Sequence, residues 1–230
     1  HRRAKLILEK LPPIKSRSLH FPLPLPTSPL GSFTLLDENT LLAAPDCSSP
    51  FPHGELYFIE DKEGPPNRAY LKLYEALTLA GRTPQPGEFC LDVGGSPGGW
   101  AWVIHQCGAD VLSIDRSPLS PSVANLKGVS FQKRDAFSLL PKEFEQEGQS
   151  VDWLFSDLIC YPEKLYEWVL QWVKSGRCKN FICTLKFKGE PDLSIIHKFA
   201  ALPDSRVLHL FNNKNELTWF KISPPVSSGL

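Results

Sequence analysis

The chain has 230 residues, 42% of them apolar, and its 25 Lys and Arg balance 25 Asp and Glu. That length suits a doubly wound domain with a sizeable core. A protein that grips RNA by charge alone is basic, so neutrality confines any RNA contact to local patches such as residues 1–5, 15–17 and 133–134. No signal peptide and no long apolar span is legible, the pattern of a soluble cytoplasmic chain with no membrane contact. The six cysteines (47, 90, 107, 160, 178 and 183) form no Cys-x-x-Cys pair, so no metal is expected. Cys90 and Cys183 read as buried small hydrophobes. The absence of methionine is what a processed fragment, or a sequence that lost modified methionines, would leave.

Residues 1–60 are proline-rich and irregular, with short strands expected over 32–36 and 55–59. Their aromatic and apolar content predicts an extended N-terminal arm or small accessory region that packs rather than floats. Residues 61–230 form the main domain. After Pro65-Pro66, Asn67 is the expected cap of a helix running to about Ala80, with Leu71, Tyr74, Leu77 and Leu79 on its apolar side. Strands are expected at 89–93, 110–114, 129–132, 151–156 and 180–185, and helices over 99–107, 162–174 and 191–201. Strand 151–156 is apolar enough to be covered on both faces, and Trp168 and Trp172 share one helix face as core residues. Strands near 205–211 and 216–222, joined by the turn-rich Asn212-Asn213-Lys214-Asn215, predict a terminal antiparallel hairpin. The alternation gives an α/β, Rossmann-like fold with a mostly parallel sheet and a terminal antiparallel strand.

The first strand runs into Gly94-Gly95-Ser96-Pro97-Gly98-Gly99-Trp100. Glycines let backbone come close to a ligand, because no Cβ intervenes. The N–H groups of the following helix start point into the same space. This is the layout of a nucleotide-type cofactor site. A Walker loop would end in Gly-Lys-Ser/Thr, and Pro97 interrupts the dinucleotide spacing, which argues against a nicotinamide dehydrogenase. Asp92 would repel a pyrophosphate but suits a cation, and S-adenosylmethionine carries an ammonium and a sulfonium. Asp115 ends the next strand about 20 residues on, where an acid can bond ribose hydroxyls. Asp135 follows the third strand and is expected at the adenine amine. Each acid alone is as readily a turn former; three at successive strand ends favour the cofactor. The expected cofactor residues are therefore Asp92, Gly94, Ser96, Pro97, Gly98, Gly99, Trp100, Asp115 and Asp135.

Asp92 to Trp100 resembles the cofactor loop of the FtsJ/RrmJ-type ribose 2′-O-methyltransferases, Asp-Leu-Gly-Ala-Ala/Cys-Pro-Gly-Gly-Trp. Gly95-Ser96 departs from it mildly. That family uses a Lys-Asp-Lys-Glu tetrad. Lys72, in Leu71-Lys-Leu-Tyr-Glu-Ala76, is similar to the first lysine. Asp157 matches the acid ending the fourth strand, Lys186 the lysine ending the fifth, and Glu216 the glutamate opening the last strand. The Lys72 helix and the Trp172-Val-x-x-Gly-x-Cys178 approach to the fifth strand resemble the RlmM-type branch, which methylates a cytidine ribose of large-subunit ribosomal RNA. The likeness covers residues 66–221. Residues before it do not resemble that branch's RNA-binding region.

The resemblance implies a Rossmann-like methyltransferase fold, S-adenosylmethionine as cofactor and RNA of the 23S type as partner. The alternatives are another RNA, such as an mRNA cap, or a degenerate cofactor- or RNA-binding module. Ligands of such sheets bind beyond the strands' carboxyl ends. The implied catalytic residues are Lys72, Asp157, Lys186 and Glu216. Lys186 would accept or steer the ribose hydroxyl proton. A free lysine titrates near ~10.4, so a second ammonium, Lys72, is needed nearby to repel the proton and stabilise the developing alkoxide. Asp157 would orient Lys186 and hold the methyl and sulfonium region of the cofactor. Glu216 would offset and position Lys72. Taken singly, each could be half of a surface salt bridge.

Overall fold

The computed structural model describes residues 2–14, 18–144, 150–188 and 192–224. The basic patch at 15–17, residue 1 of the first patch and the start of the helix expected from 191 lie outside them. The chain divides into two compact units, His1–Ile59 and Glu60–Leu230.

The first unit holds more regular structure than its prolines suggest. Good helix formers make a seven-residue helix, α1 (Arg2–Leu8), which ends before Pro12-Pro13. The strand expected at 32–36 is β1 (Ser32–Leu35), paired antiparallel with β2 (Leu41–Ala44), which was not expected. Their turn is closed by Asp37, whose Oδ1 accepts the Asn39 N–H at 2.7 Å, an Asx turn. The strand expected at 55–59 does not form. Among the described residues only one bridge, Leu19 to Phe58, is made there.

The second unit begins with α2 (Tyr70–Ala80), closed by Gly81 at φ 67°. Asn67 does not cap it. Its carboxamide accepts the Ala69 N–H at 3.1 Å in a preceding turn, and the helix starts at Tyr70 with no side-chain cap. The helix is buried on most sides rather than along one stripe: Tyr70, Leu73 and Ala76 are in the core with Leu71, Tyr74 and Leu77.

The sheet follows the expected alternation: β3 (Phe89–Val93), α3 (Gly99–Gln106), β4 (Asp110–Asp115), α4 (Pro121–Ala124), β5 (Val129–Lys133), β6 (Val151–Ser156), α5 (Pro162–Ser175), β7 (Cys178–Lys186), α6 (Leu193–Ala200), β8 (Ser205–Leu208) and β9 (Glu216–Lys221). Seven strands lie in the order β5-β4-β3-β6-β7-β9-β8. Only β9 runs against its neighbours, β7 and β8. The chain walks outward from β3 to β5 and then returns to place β6 on the other side of β3, so the topological switch point lies at the carboxyl ends of β3 and β6. Trp153, Trp172, Trp219, Phe155, Phe181 and Phe199 are fully buried in this unit. Trp168 is buried too and donates its ring N–H to the Leu139 carbonyl at 2.9 Å, so both helix tryptophans are core residues. Among the described residues no helix is long and apolar enough to cross a membrane.

Candidate active site

The glycine loop leaves β3 at Gly94, where φ is 80°, and enters α3 after Gly98, where φ is 114°. Both values suit glycine alone. The loop is tied to its neighbours at several points. Gly94 N–H donates to Ile114 O at 2.8 Å and Ser120 N–H to Pro97 O at 2.8 Å. Ser96 donates its N–H to Asp115 Oδ2 at 3.1 Å and its hydroxyl to Pro118 O at 2.9 Å. A methyl added at Gly99 would overlap Asn67 Oδ1, which keeps the start of α3 against the approach to α2.

Two of the expected cofactor residues face elsewhere. Asp92 is 1% exposed and sits under the loop: a methyl on Gly95 would overlap both Asp92 Oδ2 and Ser113 Oγ. The Ser113 hydroxyl donates to that oxygen at 3.4 Å. Asp92 therefore supports the loop from below instead of facing a ligand, and the glycine at 95 gives its carboxylate room. Trp100 is also buried. Its indole N–H donates to Ala69 O at 3.0 Å and its ring meets Phe155 edge-on, so it docks α3 against the approach to α2. Asp115 and Asp135 do reach the sheet's carboxyl rim. Asp115 accepts from Ser96 N–H and, through Oδ1, from Ser117 N–H at 2.9 Å. Asp135 caps a short turn by accepting Phe137 N–H at 2.8 Å and pairs with Arg116, whose guanidinium holds its carboxyl below the ordinary range.

Burial, then the nearby Asp157 charge, pushes the Asp92 carboxyl up to about 7 from 3.8. The folded protein thus binds more protons here than the unfolded chain between these values, so this group removes stability as pH rises through that window. Asp92→Asn, which cannot titrate, is expected to gain stability relative to the unvaried protein on going from about pH 4 to about pH 8. Urea denaturation of both proteins at the two pH values measures this, and an unchanged difference would show Asp92 to be ionised at no cost.

The four tetrad positions come together. Lys72, in the first turn of α2, places Nζ 3.0 Å from Asp157 Oδ1, 3.0 Å from Asp157 Oδ2 and 3.0 Å from Glu216 Oε1. Lys186, the last residue of β7, donates to the Asp157 backbone O at 2.6 Å and lies 3.0 Å from Asp157 Oδ1. The side chains of Lys72 and Glu216 are only 13% and 14% exposed, which sets this cluster apart from surface ion pairs. Register explains how Glu216 arrives. Because β9 is antiparallel to β7, its first residue pairs with the last of β7, Glu216 with Lys186. A parallel strand would deliver its first residue to the opposite end of the sheet.

Electrostatics sorts the two amines. Burial opposes the charge on Lys72, but Asp157 and Glu216 outweigh it and hold its pKa above the ordinary lysine value. Its ammonium bonds two carboxylates, both oxygens of Asp157 on one side and Glu216 Oε1 on another. Burial likewise pushes Asp157 up, and Lys72 with Lys186 overcomes this to keep it below the usual carboxylate range. Lys186 makes one hydrogen bond to Asp157, at its backbone O, and meets its Oδ1 as an ion-pair partner.

Two residues the sequence reading missed complete the cluster. The Thr184 hydroxyl donates to Asp157 Oδ1 at 2.6 Å. It lies two residues before Lys186 on β7, hence on the same sheet face, and that spacing was the available signal. Glu75 is buried on α2, one turn beyond Lys72. Its carboxylate accepts Phe211 N–H at 2.6 Å, Asn212 N–H at 2.8 Å and the Asn212 side-chain amide at 2.8 Å. It thereby clamps the loop that leads into β9 and Glu216, and β8 stops at Leu208, short of the expected 211. An acid among the apolar positions of a helix is rarely buried without partners, which was its signal. Glu75→Ala is expected to cost about 2–3 kcal/mol, measured by urea denaturation, since it leaves loop N–H groups unpaired. Loss below about 0.5 kcal/mol would show the loop to be held by other contacts.

The chain is similar to known proteins. A family model described as FtsJ-like methyltransferase matches residues 65–208. The chain is 36% identical over 136 residues to Ribosomal RNA large subunit methyltransferase M of Halorhodospira halophila, covering 58% of this chain and 38% of that one. It is 33% identical over 187 residues to the protein of the same name from Xanthomonas oryzae pv. oryzae, covering 76% and 51%. The chain thus spans about half the length, or less, of these curated relatives. Among solved structures, a Plasmodium falciparum chain described as a ribosomal RNA methyltransferase superposes with TM-score 0.52 at 15% identity, covering 68% of this chain and 97% of that one. A Lactococcus lactis protein described as a hemolysin superposes with TM-score 0.53 at 19% identity, covering 69% and 89%. The two descriptions differ, as likeness at this identity carries the fold and not the activity.

Proposed function

Because this chain belongs to the FtsJ-like methyltransferase family, we propose that it transfers a methyl group from S-adenosylmethionine to a ribose 2′-hydroxyl of large-subunit ribosomal RNA, the acceptor class named in its relatives. In this reading residues 61–230 are the methyltransferase domain and residues 1–60 an accessory region. The reaction would take place in the cytoplasm.

The observation that carries the proposal is the convergence of Lys72, Asp157, Lys186 and Glu216 at one end of the sheet. The rim beside them fits the cofactor. Asp115 and Asp135 hold carboxylates at the ends of β4 and β5, with lone pairs suited to ribose hydroxyls and an adenine amine. Gly94, Gly98 and Gly99 let the loop lie close against Leu158, Val123 and Asn67, and Ser96 and Pro97 bind it to the segment after β4. Asp157 brings negative charge to the switch point, where a sulfonium would be held. S-adenosylmethionine bound there supplies an electrophilic methyl group.

The residues then divide the work. Transfer forms the ribose O–CH3 bond, breaks the S–CH3 bond and releases the hydroxyl proton. Lys72, held as a cation by Asp157 and Glu216, stabilises charge developing on the ribose oxygen. Lys186, at the carboxyl end of β7, takes or steers the proton. Asp157 and Thr184 hold Lys186 in place, and Glu216 fixes Lys72. Positioning of this kind supplies several kcal/mol of barrier reduction.

The test is methyl transfer itself. The protein is incubated with methyl-labelled S-adenosylmethionine and large-subunit ribosomal RNA from cells lacking this chain. Label is expected at one ribose, where the 2′-O-methyl group blocks alkaline cleavage of the adjoining phosphodiester. Label on a base, or none, overturns the proposal.

A further inference from the structure

The loop after β6 passes directly from the tetrad to exposed apolar surface. Ile159, two residues beyond Asp157, is 82% exposed, the highest value among the exposed large apolar side chains of the described residues. Tyr161, two residues further, is 61% exposed. Folding does not ask for either. Tyr161 is the N-cap of α5 and makes no side-chain cap bond, whereas Ser, Thr, Asp or Asn is what that position favours. Exposed apolar side chains grouped at the lip of a polar site mark a contact surface.

The charges around the lip indicate what it contacts. Lys188, two residues after Lys186, holds Nζ 5.7 Å from the Tyr161 ring centroid. Lys164, in the first turn of α5, sets Nζ 4.1 Å from the Phe137 ring centroid. Glu163 is the acid in that turn. An aromatic ring beside a lysine is a combination that holds a single nucleic-acid strand: the ring stacks a base and the amine meets a phosphate. It also meets a difficulty raised by composition, since a neutral chain must grip RNA through a local patch.

Resting on the methyl-transfer reading, we propose that Tyr161, Ile159 and Lys188 form the seat of the acceptor nucleotide. The base stacks on Tyr161, Ile159 packs against the sugar or the adjoining base, and Lys188 meets a phosphate. The ribose is thereby held beside Lys186. Stacking on Tyr161 tolerates any base, so the lip positions the acceptor without choosing its identity.

A fluorescein-labelled, unstructured 12-nucleotide RNA and large-subunit ribosomal RNA serve as probes. Tyr161→Ala is expected to weaken RNA binding about 5- to 150-fold, the range for loss of one stacked base. The same variant is expected to raise the KM for ribosomal RNA while affinity for S-adenosylmethionine stays unchanged. Tyr161→Phe, which keeps the ring, should bind as the unvaried protein does. Lys188→Ala should lower the slope of log affinity against log salt by about 0.7, the value for one phosphate contact on a single strand. If Tyr161→Ala and Ile159→Ser leave both RNA affinity and KM unchanged, the lip does not hold the acceptor and the proposal falls. If instead the unvaried protein methylates no RNA yet binds the 12-nucleotide probe in a Tyr161-dependent way, the reading of the reaction falls while RNA binding at the lip stands.

Discussion

Lys186→Ala is expected to bind S-adenosylmethionine with the affinity of the unvaried protein and to methylate RNA about 10²–10⁴-fold more slowly, the range for loss of a general base. Lys186→Arg is the sharper variant. A guanidinium keeps the positive charge and can still donate to the Asp157 backbone O, now contacted by Lys186 at 2.6 Å, but it does not give up its proton in a protein. If Lys186 moves the proton, arginine fails nearly as badly as alanine. If Lys186 only supplies charge, arginine retains most of the rate. Single-turnover methylation of large-subunit ribosomal RNA, with cofactor affinity measured separately by calorimetry, decides between them. An arginine variant close to the unvaried rate ends the proton-transfer assignment.

Asp157→Ala should be the most damaging change to the fold as well as to the reaction. Its carboxylate meets Lys72 at 3.0 Å and Lys186 at 3.0 Å, and Lys72 keeps only Glu216 once it is gone. Removing one partner of a buried ion pair costs about 3–5 kcal/mol, because the remaining charge stays desolvated. The effect has a signature in pH. The lysines hold the Asp157 pKa below its ordinary value, so its contribution is complete above the unfolded value of about 3.9 and fades as pH falls through the folded one. Urea denaturation should therefore separate Asp157→Ala from the unvaried protein widely at neutral pH and narrow that gap in acid. A gap that persists at low pH would assign the loss to packing instead. Asp157→Asn, which keeps the shape, should retain more stability than alanine yet remain catalytically impaired, since an amide cannot neutralise two ammonium groups.

Much of the second unit can be read locally. Strands β3, β4, β6 and β7 carry apolar runs bounded by turn residues, β5 alternates apolar and polar residues, and a loop containing Gly94, Gly95, Gly98 and Gly99 can be little else than a close-approach turn. Helix termini and the first unit were less legible. Asn67 satisfies the composition of a cap but closes a turn of its own. Of the hairpin only β1 was legible; β2 is four residues long and exposed throughout, with no alternation to mark a strand face.

The chain by itself determined the glycine turn and the acids at the ends of β4 and β6, because backbone preference and apolar patterning act within a few residues; the tetrad was legible only through the family resemblance of the motifs around it. Tertiary structure decided which acid lies buried beneath the glycine loop and how the charged side chains of the tetrad meet. Asp92 lies inside because Ser113 of β4 and the backbone at Gly95 close over it. Lys72 is locked because partners 85 and 144 residues away arrive at its ammonium. Coulomb attraction and desolvation depend on distance in space, and only the strand order, with β9 reversed against β7, brings those charges together.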